Sequence, residues 1–358
     1  MDPINPTFEQ VNIYNLTFKE LSESISSWGE PGYRARQVWD GLYRQLWMEP
    51  DQFTNLPKSF REELNKKFSF SSLTYRDSVF SKDLQTEKSL FRINGGNHIE
   101  TVLMLYEKRQ TLCVSTQSGC GMGCVFCASG QMGFKRNLSA GEIIEQVIHF
   151  SRLLREKSKL LTNIVYMGMG EPFQNFDAVM KSINILNDPN GLNIGERRFT
   201  VSTVGLIPGI QKFTEQKRQI NLAISLHAPS DDLRNVLVPI NKKYGIADLL
   251  EACQEYVANT GRRISFEYAL INNVNDGISQ ANALSKLIKN LLCHVNLIRL
   301  NPSEHFTGTP SSNVQANLFR DELQKNGIPC TIRLRRGIEI NAGCGQLAYR
   351  GSQELVGQ

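Results

Sequence analysis

From residue 111 onward this 358-residue chain repeats one pattern: a short β-branched run, a polar turn, then a longer amphipathic stretch. The runs are "TLCVST" (111–116), "NIVYMG" (163–168), "RFTVST" (198–203), "NLAISL" (221–226), "ISFEYAL" (264–270), "HVNLIRL" (294–300) and "CTIRLR" (330–335). Between them the helical period predicts helices from Ser139 and over 175–187, 207–216, 246–259, 277–291 and 312–326. Ser139 and Glu142 make an S-x-x-E capping box, and Ile143, Ile144, Val147 and Ile148 share one face of the helix it opens. Strands alternating with helices at this spacing require βαβ units and a parallel sheet. About seven strands suit an incomplete α/β barrel or a doubly wound sheet.

Either architecture gathers its site at the C-terminal ends of the strands. The polar motifs stand there: a cysteine loop after the first run, then "GMGEP" (168–172), "STVG" (202–205), "SLHAP" (225–229) and "LNPSE" (300–304). Five polar strand ends on one rim predict a pocket. Residues 1–100 read differently, with short helices in "TFKELSESISSWG", "RARQVWDGLYRQ" and "PKSFREELNKKF" and later strands in "SLFRING" and "HIETVLML". We therefore expect an accessory domain over 1–100, a core over 101–348 and a frayed tail over 349–358.

Four of the eight cysteines fall within "CVSTQSGCGMGCVFC" (113–127), three of them, Cys120, Cys124 and Cys127, in C-x3-C-x2-C spacing. The opening "MDPINPTFEQ" is not a secretory signal, and no apolar run approaches the roughly 20 residues of a membrane span. The expected compartment is the cytosol, where clustered thiols point to metal or catalysis over disulfides. Three thiolates can hold three irons of a [4Fe-4S] cluster and leave the fourth open, whereas electron carriers close the cluster with four. An open position is what a catalytic metal keeps. Zinc with one remote ligand, and buried structural thiols, are the other readings of the spacing. The net charge of +5 permits an RNA partner without establishing one, and the basic pairs Arg197-Arg198, Lys242-Lys243, Arg262-Arg263 and Arg335-Arg336 are scattered.

C-x3-C-x2-C with Phe126 before the last cysteine resembles the radical S-adenosylmethionine (SAM) superfamily. "CVSTQSGCGMGCVFCASGQMGFKRNL", "MGMGEP", "ISLHAP", "VPINKKY", "VNDG", "NLIRLNP" and "AGCGQL" together resemble the rRNA/tRNA adenine-C2 methyltransferases of the RlmN type over about 97–348. "GYRARQVWDGLY" resembles that family's accessory domain.

The resemblance implies a partial (βα)6-type barrel, one [4Fe-4S] cluster on Cys120, Cys124 and Cys127, and two SAM molecules per turnover. It implies 23S rRNA and tRNA substrates and an external one-electron reductant of flavodoxin or ferredoxin type, with no membrane. Cys344 matches the methyl-carrying cysteine and Cys113 the one that resolves the RNA adduct through a transient disulfide. Glu100 in "HIETVL" matches the proton acceptor, and the SAM contacts fall on Gly170, Glu171, Ser202, Ser225, Leu226, His227 and Asn301. Cys253, Cys293 and Cys330 match no motif and read as structural.

Adenine C2 lies between two ring nitrogens and is too electron-poor to attack the SAM methyl group, which is why a radical route is implied. A C8-directed enzyme like the resistance methyltransferase Cfr is the alternative. Pro172 stands here, as in the C2 enzymes it resembles, where Cfr has an alanine. An Fe–S carrier or RNA-binding regulator would have no use for Cys344 or the strand-end motifs. The chain departs from the family's "DAACGQL" at Asn341 and Gly343.

Overall fold

The computed structural model describes residues 10–304 and 306–348, so the expected frayed tail at 349–358 lies outside the described residues. A ten-stranded sheet organises it: β1 Leu73–Phe80, β2 Thr86–Ile93, β3 His98–Leu105, β4 Gln110–Cys113, β5 Asn163–Tyr166, β6 Phe199–Thr203, β7 Asn221–Ser225, β8 Ile264–Leu270, β9 Cys293–Arg299 and β10 Cys330–Ile332. Each strand neighbours the next in sequence, from β10 at one edge to β1 at the other. The first four pair antiparallel, and β4 through β10 run parallel.

All seven anticipated runs are the parallel strands, and a helix lies in every crossover between them. Their alternation is why: each β-branched run but the last has an amphipathic helix after it that covers its apolar side chains. Ser139 caps Ala140–Glu156 through the Glu142 amide, and the Glu142 side chain answers to the Ser139 amide. Ile143, Ile144, Val147 and Ile148 are all buried beneath it. The remaining anticipated helices are Phe176–Asn187, Ile207–Glu215, Ile246–Thr260, Ile278–Ile288 and Asn313–Lys325.

The sheet is open, with six βα units and a last strand, rather than a closed barrel. The segment after β10 bridges the opening. Arg336 Nη1 donates to the Leu105 carbonyl at the end of β3 (3.1 Å), and Glu339 Oε1 accepts from the Lys82 amide between β1 and β2 (3.2 Å). Residues 333–348 thus form a strap across the mouth, and the strap carries Cys344.

The three N-terminal helices are Phe18–Ser26, Tyr33–Asp40 and Lys58–Lys67, around a buried Trp39, Tyr43 and Phe53. They dock on the Ala140–Glu156 helix, where Asn15 Oδ1 accepts from the Gly141 amide and Leu46 O from Arg152 Nε. The division expected at residue 100 falls inside β3, since β1 to β3 extend the main sheet. Several elements had no sequence forecast, among them the hairpin of Gln117–Gly119 with Phe134–Asn137, β1 and the helix Asp231–Leu237. β1 is an edge strand with most of its side chains exposed, so no buried face wrote an apolar alternation into it. The helix Asp231–Leu237 follows β7 within "SDDLRNVL".

Candidate active site

Two adjoining cavities of about 160 and 110 Å³ open at the C-terminal ends of the parallel strands. Cys120, Cys124 and Cys127 line the first, together with Gly170, Glu171, Ser202, Ser225, His227 and Asn301. Cys113 lines the second with Tyr106, Leu334, Arg335 and Arg336. Cys344, Asn301 and Arg333 border both. Cys344 is exposed, Cys113 is buried, and neither is in a disulfide.

Several backbone devices make these walls. Gly119 has φ +69, and a Cβ there would come within 1.8 Å of the Gly133 carbonyl, so only glycine lets the cysteine loop start so close to its return strand. Gly170 has φ +105, and a Cβ would meet the Gln117 amide at 2.8 Å. Glu171 turns its carboxylate into the scaffold: Oε1 accepts from the Phe173 amide (3.0 Å) and Oε2 from the Val204 amide (2.9 Å). Burial lifts its pKa to about 7, against the pull of those two amides. His227 has φ +62, and its Nδ1 accepts from the Ala269 amide (3.0 Å). Burial, then the Arg234 charge, lowers its pKa to about 3, so the ring is neutral and Nε2 holds the proton. Its ring meets Phe126 edge-on at 4.8 Å.

The strap is tied to the cysteine loop where the Ala128 amide donates to Gly345 O (2.7 Å). Asn301 Nδ2 donates to Cys344 O (3.1 Å), and its Oδ1 accepts from Arg335 Nε (3.1 Å). A Cβ at Gly343 would lie 2.6 Å from Asn301 Nδ2 and 2.6 Å from Gln346 Oε1, so the glycine found there allows this close packing. Asn341 has φ +52, a conformation asparagine accepts more readily than most residues.

Among known proteins, the family model of the radical SAM superfamily matches residues 114–279, and that of the ribosomal RNA large subunit methyltransferase N-terminal domain matches 11–69. A probable dual-specificity RNA methyltransferase RlmN of Chloroflexus aurantiacus is 48% identical over 361 residues, 97% of this chain and 95% of the relative. Its counterpart in Geobacillus kaustophilus is 46% identical over 345 residues, covering 96% and 94%. The crystal structure of a radical SAM methyltransferase from Sphaerobacter thermophilus superposes with a TM-score of 0.93 at 49% identity, covering 94% of this chain and 99% of that one.

The chain belongs to the RlmN family of radical SAM enzymes.

Radical SAM membership implies a [4Fe-4S] cluster and SAM, and the residues of the first cavity suit them. Burial raises the pKa of all three loop thiols, Cys120 to about 12, and each also feels a neighbouring thiol. Backbone amides at Met122, Ser129 and Gly130 pull in the other direction. Buried thiols crowded like this become thiolates only against a metal's positive charge. Among the described residues no group of three or more His, Cys, Asp or Glu side chains is gathered to chelate one ion. A single tetrahedral zinc would need thiolates about 3.8 Å apart. A four-iron cluster takes each on a different iron and tolerates wider spacing.

Leu226 does not line either cavity. Its side chain is fully buried in the main core, and it offers the site only backbone. Glu100 also lies outside both linings. It is 5% exposed, with Lys88 Nζ 2.8 Å from Oε1. Burial raises its pKa, while Lys88 and the Ala348 amide lower it. Cys253, Cys293 and Cys330 are buried and border neither cavity.

Three charged residues escaped the sequence reading. Arg234 is fully buried, its guanidinium donating to Leu226 O (3.0 Å), Val204 O (2.7 Å), Ser225 O (3.1 Å) and Asn241 Oδ1 (2.7 Å). It clamps the ends of β6 and β7 behind the first cavity. Glu267 and Arg333 pair across the sheet at 3.3 Å. Burial would depress the Arg333 pKa, but Cys344 and Glu267 hold it above its ordinary value. The available signal was a charge inside each strand run: Glu267 in "ISFEYAL" and Arg333 in "CTIRLR". Among the described residues no helix is long and apolar enough to cross a membrane.

Proposed function

We propose that this chain methylates C2 of adenosine in RNA, at the adenosine 2503-type site of the 23S rRNA peptidyl-transferase centre and at adenosine 37 of a subset of tRNAs. The observation that carries the reading is the position of Cys344 on the border between the two cavities, with Cys120 and Cys124 in the first, Cys113 in the second and Cys127 beside Cys344 on both. A methyl carrier must face the methyl donor first and the acceptor next. The relatives' names supply the RNA substrate class.

In this reading Cys120, Cys124 and Cys127 hold the cluster, and an external flavodoxin- or ferredoxin-type protein in the cytoplasm reduces it. When bound, the cluster supplies the electron that splits SAM reductively, and two SAM molecules serve each turnover. Gly170, Glu171, Ser202, Ser225, Leu226, His227 and Asn301 contact SAM, with Glu171 and Leu226 acting through backbone because their side chains face the scaffold.

Cys344 first takes a methyl group on sulfur, at a position where Arg333 borders the same two cavities. The S-methyl carbon would give up one hydrogen atom to the radical that SAM cleavage supplies and bond to C2; Glu100 then removes the C2 proton, and the surplus electron would return to the cluster. Cys113 then attacks the Cys344 sulfur. The carbon–sulfur bond breaks, its electron pair stays on the carbon and takes a proton to become the methyl group, and a disulfide is left. The Cys344 charge contributes to lifting the Cys113 pKa to about 12, after burial. Alkylation of Cys344 removes that charge and makes the Cys113 thiolate easier to form. Residues 1–100 act as an accessory, RNA-contacting unit.

The test is mass spectrometry of 23S rRNA and tRNA from a deletion strain, with and without this gene. The expected result is 2-methyladenosine restored by the gene. 8-Methyladenosine would transfer the chain to the C8 activity, and no change in either RNA would overturn the reading.

A further inference from the structure

The second cavity opens beneath a rim of unusual make-up. Tyr106 and Arg109 close the hairpin between β3 and β4, the Tyr106 amide donating to Arg109 O (2.8 Å). The Tyr106 ring holds two guanidiniums, Arg109 at 4.3 Å and Arg336 at 4.4 Å from its centroid. An aromatic face is one of the few neutral groups that can fix two like charges near each other. Arg335 stands next on the strap, where burial and then the charge of Arg299 lower its pKa.

Among the described residues none of Arg109, Arg335 and Arg336 forms an ion pair, although Arg333, two and three positions before the latter pair, does. Their hydrogen-bond partners are neutral: Asn301 for Arg335, and Gln85 and Leu105 O for Arg336. Arg336 Nε is buried with no partner. Next to Arg335 in the chain and on the lining of the same cavity, Leu334 is 78% exposed, more than any other large apolar side chain described.

A rim whose cations have no carboxylate at ion-pair distance can take an anion, with Glu107 in the same hairpin and Asp83 feeling the Arg336 charge as its nearest acidic neighbours, and the cavity below it can take a base. An adenine in folded RNA is stacked, so its C2 reaches Cys344 only if the nucleotide leaves the stack, at a cost of a few kcal/mol. Phosphate contacts and a side chain that fills the vacated gap are the general means of offsetting that cost.

We propose that this rim grips the RNA strand on both sides of an extruded adenosine: Arg109, Arg335 and Arg336 take flanking phosphates, and Leu334 enters the gap the base leaves. The proposal rests on the RNA methyltransferase reading and adds the docking surface. The strap then does two jobs with adjacent residues, Arg335 and Arg336 holding the strand while Cys344 meets the base.

The test uses reconstituted holoenzyme and an anticodon stem-loop transcript with adenosine at the target position and 2-aminopurine as its neighbour, titrated across a range of KCl concentrations. Arg109→Gln and Arg336→Gln are each expected to flatten the plot of log Kd against log salt by about 0.7, one single-strand phosphate contact apiece. Arg336→Lys should restore the slope, which separates lost charge from a disturbed fold. Leu334→Ala should keep the slope but lose the fluorescence rise that reports unstacking. Arg197→Gln, at the opposite end of the strands, should match the wild type. Unchanged slopes in both rim variants of an enzyme that methylates the transcript would overturn the rim and leave the reading intact. A wild type that neither binds nor methylates RNA would overturn both.

Discussion

Asn301 Nδ2 donates to the carbonyl of Cys344 at 3.1 Å, so a residue expected to touch SAM also holds the proposed methyl carrier in place. The other end of the same amide accepts from Arg335 at 3.1 Å. Both amide atoms are therefore engaged by the strap, and SAM can meet only what remains of their hydrogen-bonding capacity.

Asn301→Asp keeps the acceptor for Arg335 and removes the donor to Cys344. We expect methylation of Cys344, followed by peptide mass spectrometry, to slow by about tenfold or more, since small misplacements of a reacting group carry such costs. Stability should fall by about 1 kcal/mol. A weakened SAM Kd with unchanged Cys344 methylation would assign the amide to SAM instead.

Glu100 gives the reaction a pH signature. Burial raises its carboxyl pKa and Lys88, 2.8 Å away, lowers it. A base works only when ionised, so activity should be lost as pH falls through that pKa. Lys88→Met removes the lowering partner and should move the acidic limb of the kcat/KM profile to higher pH, with the alkaline plateau largely kept. A limb that stays where it was, or moves to lower pH, would exclude Glu100 as the base.

Cys113 is either a core thiol or the resolving group. As a core thiol, Cys113→Ala would cost stability and leave product release alone. As the resolving group, its loss should leave RNA covalently attached through Cys344, seen as a nuclease-sensitive shift on a denaturing gel. Cys113→Ala/Cys344→Ala should abolish the shift. An active, untrapped Cys113→Ala enzyme would return the thiol to the core.

Removing a loop thiol and removing the buried guanidinium should fail in different ways. Cys120→Ala is expected to lose most of the roughly four irons per chain and keep the denaturation midpoint of the iron-free protein. Arg234→Met leaves four buried acceptors without their donor and should destabilise by about 3 to 5 kcal/mol in chemical denaturation. A loss under 1 kcal/mol would mean that water or a rearranged β6–β7 end replaces the clamp.

The sequence by itself determined the seven parallel strands, the helices between them, the Ser139 cap and the cysteine loop. Each of these follows from contacts within a few residues, so side-chain period and spacing record them directly. The polar strand ends were legible for the same reason, because a parallel sheet puts every such end on one rim. Cys344 and Cys113 were different: their spacing is uninformative, and only resemblance singled them out.

Tertiary structure alone decided that the sheet stays open and that the strap spans it, bringing Cys344 to the border of two cavities and Arg336 onto Tyr106. It alone decided that Arg234, in a stretch with no structural forecast from sequence, is fully buried. It joined Glu267 to Arg333 across 66 positions, and it drew Glu100 inward against Lys88. In each of these cases the partner lies on another element, whether 7 positions away, as Asn241 is from Arg234, or 66, as Arg333 is from Glu267. A charge on a strand is exposed or buried according to how the sheet curls over it, and that curl is a property of all ten strands together.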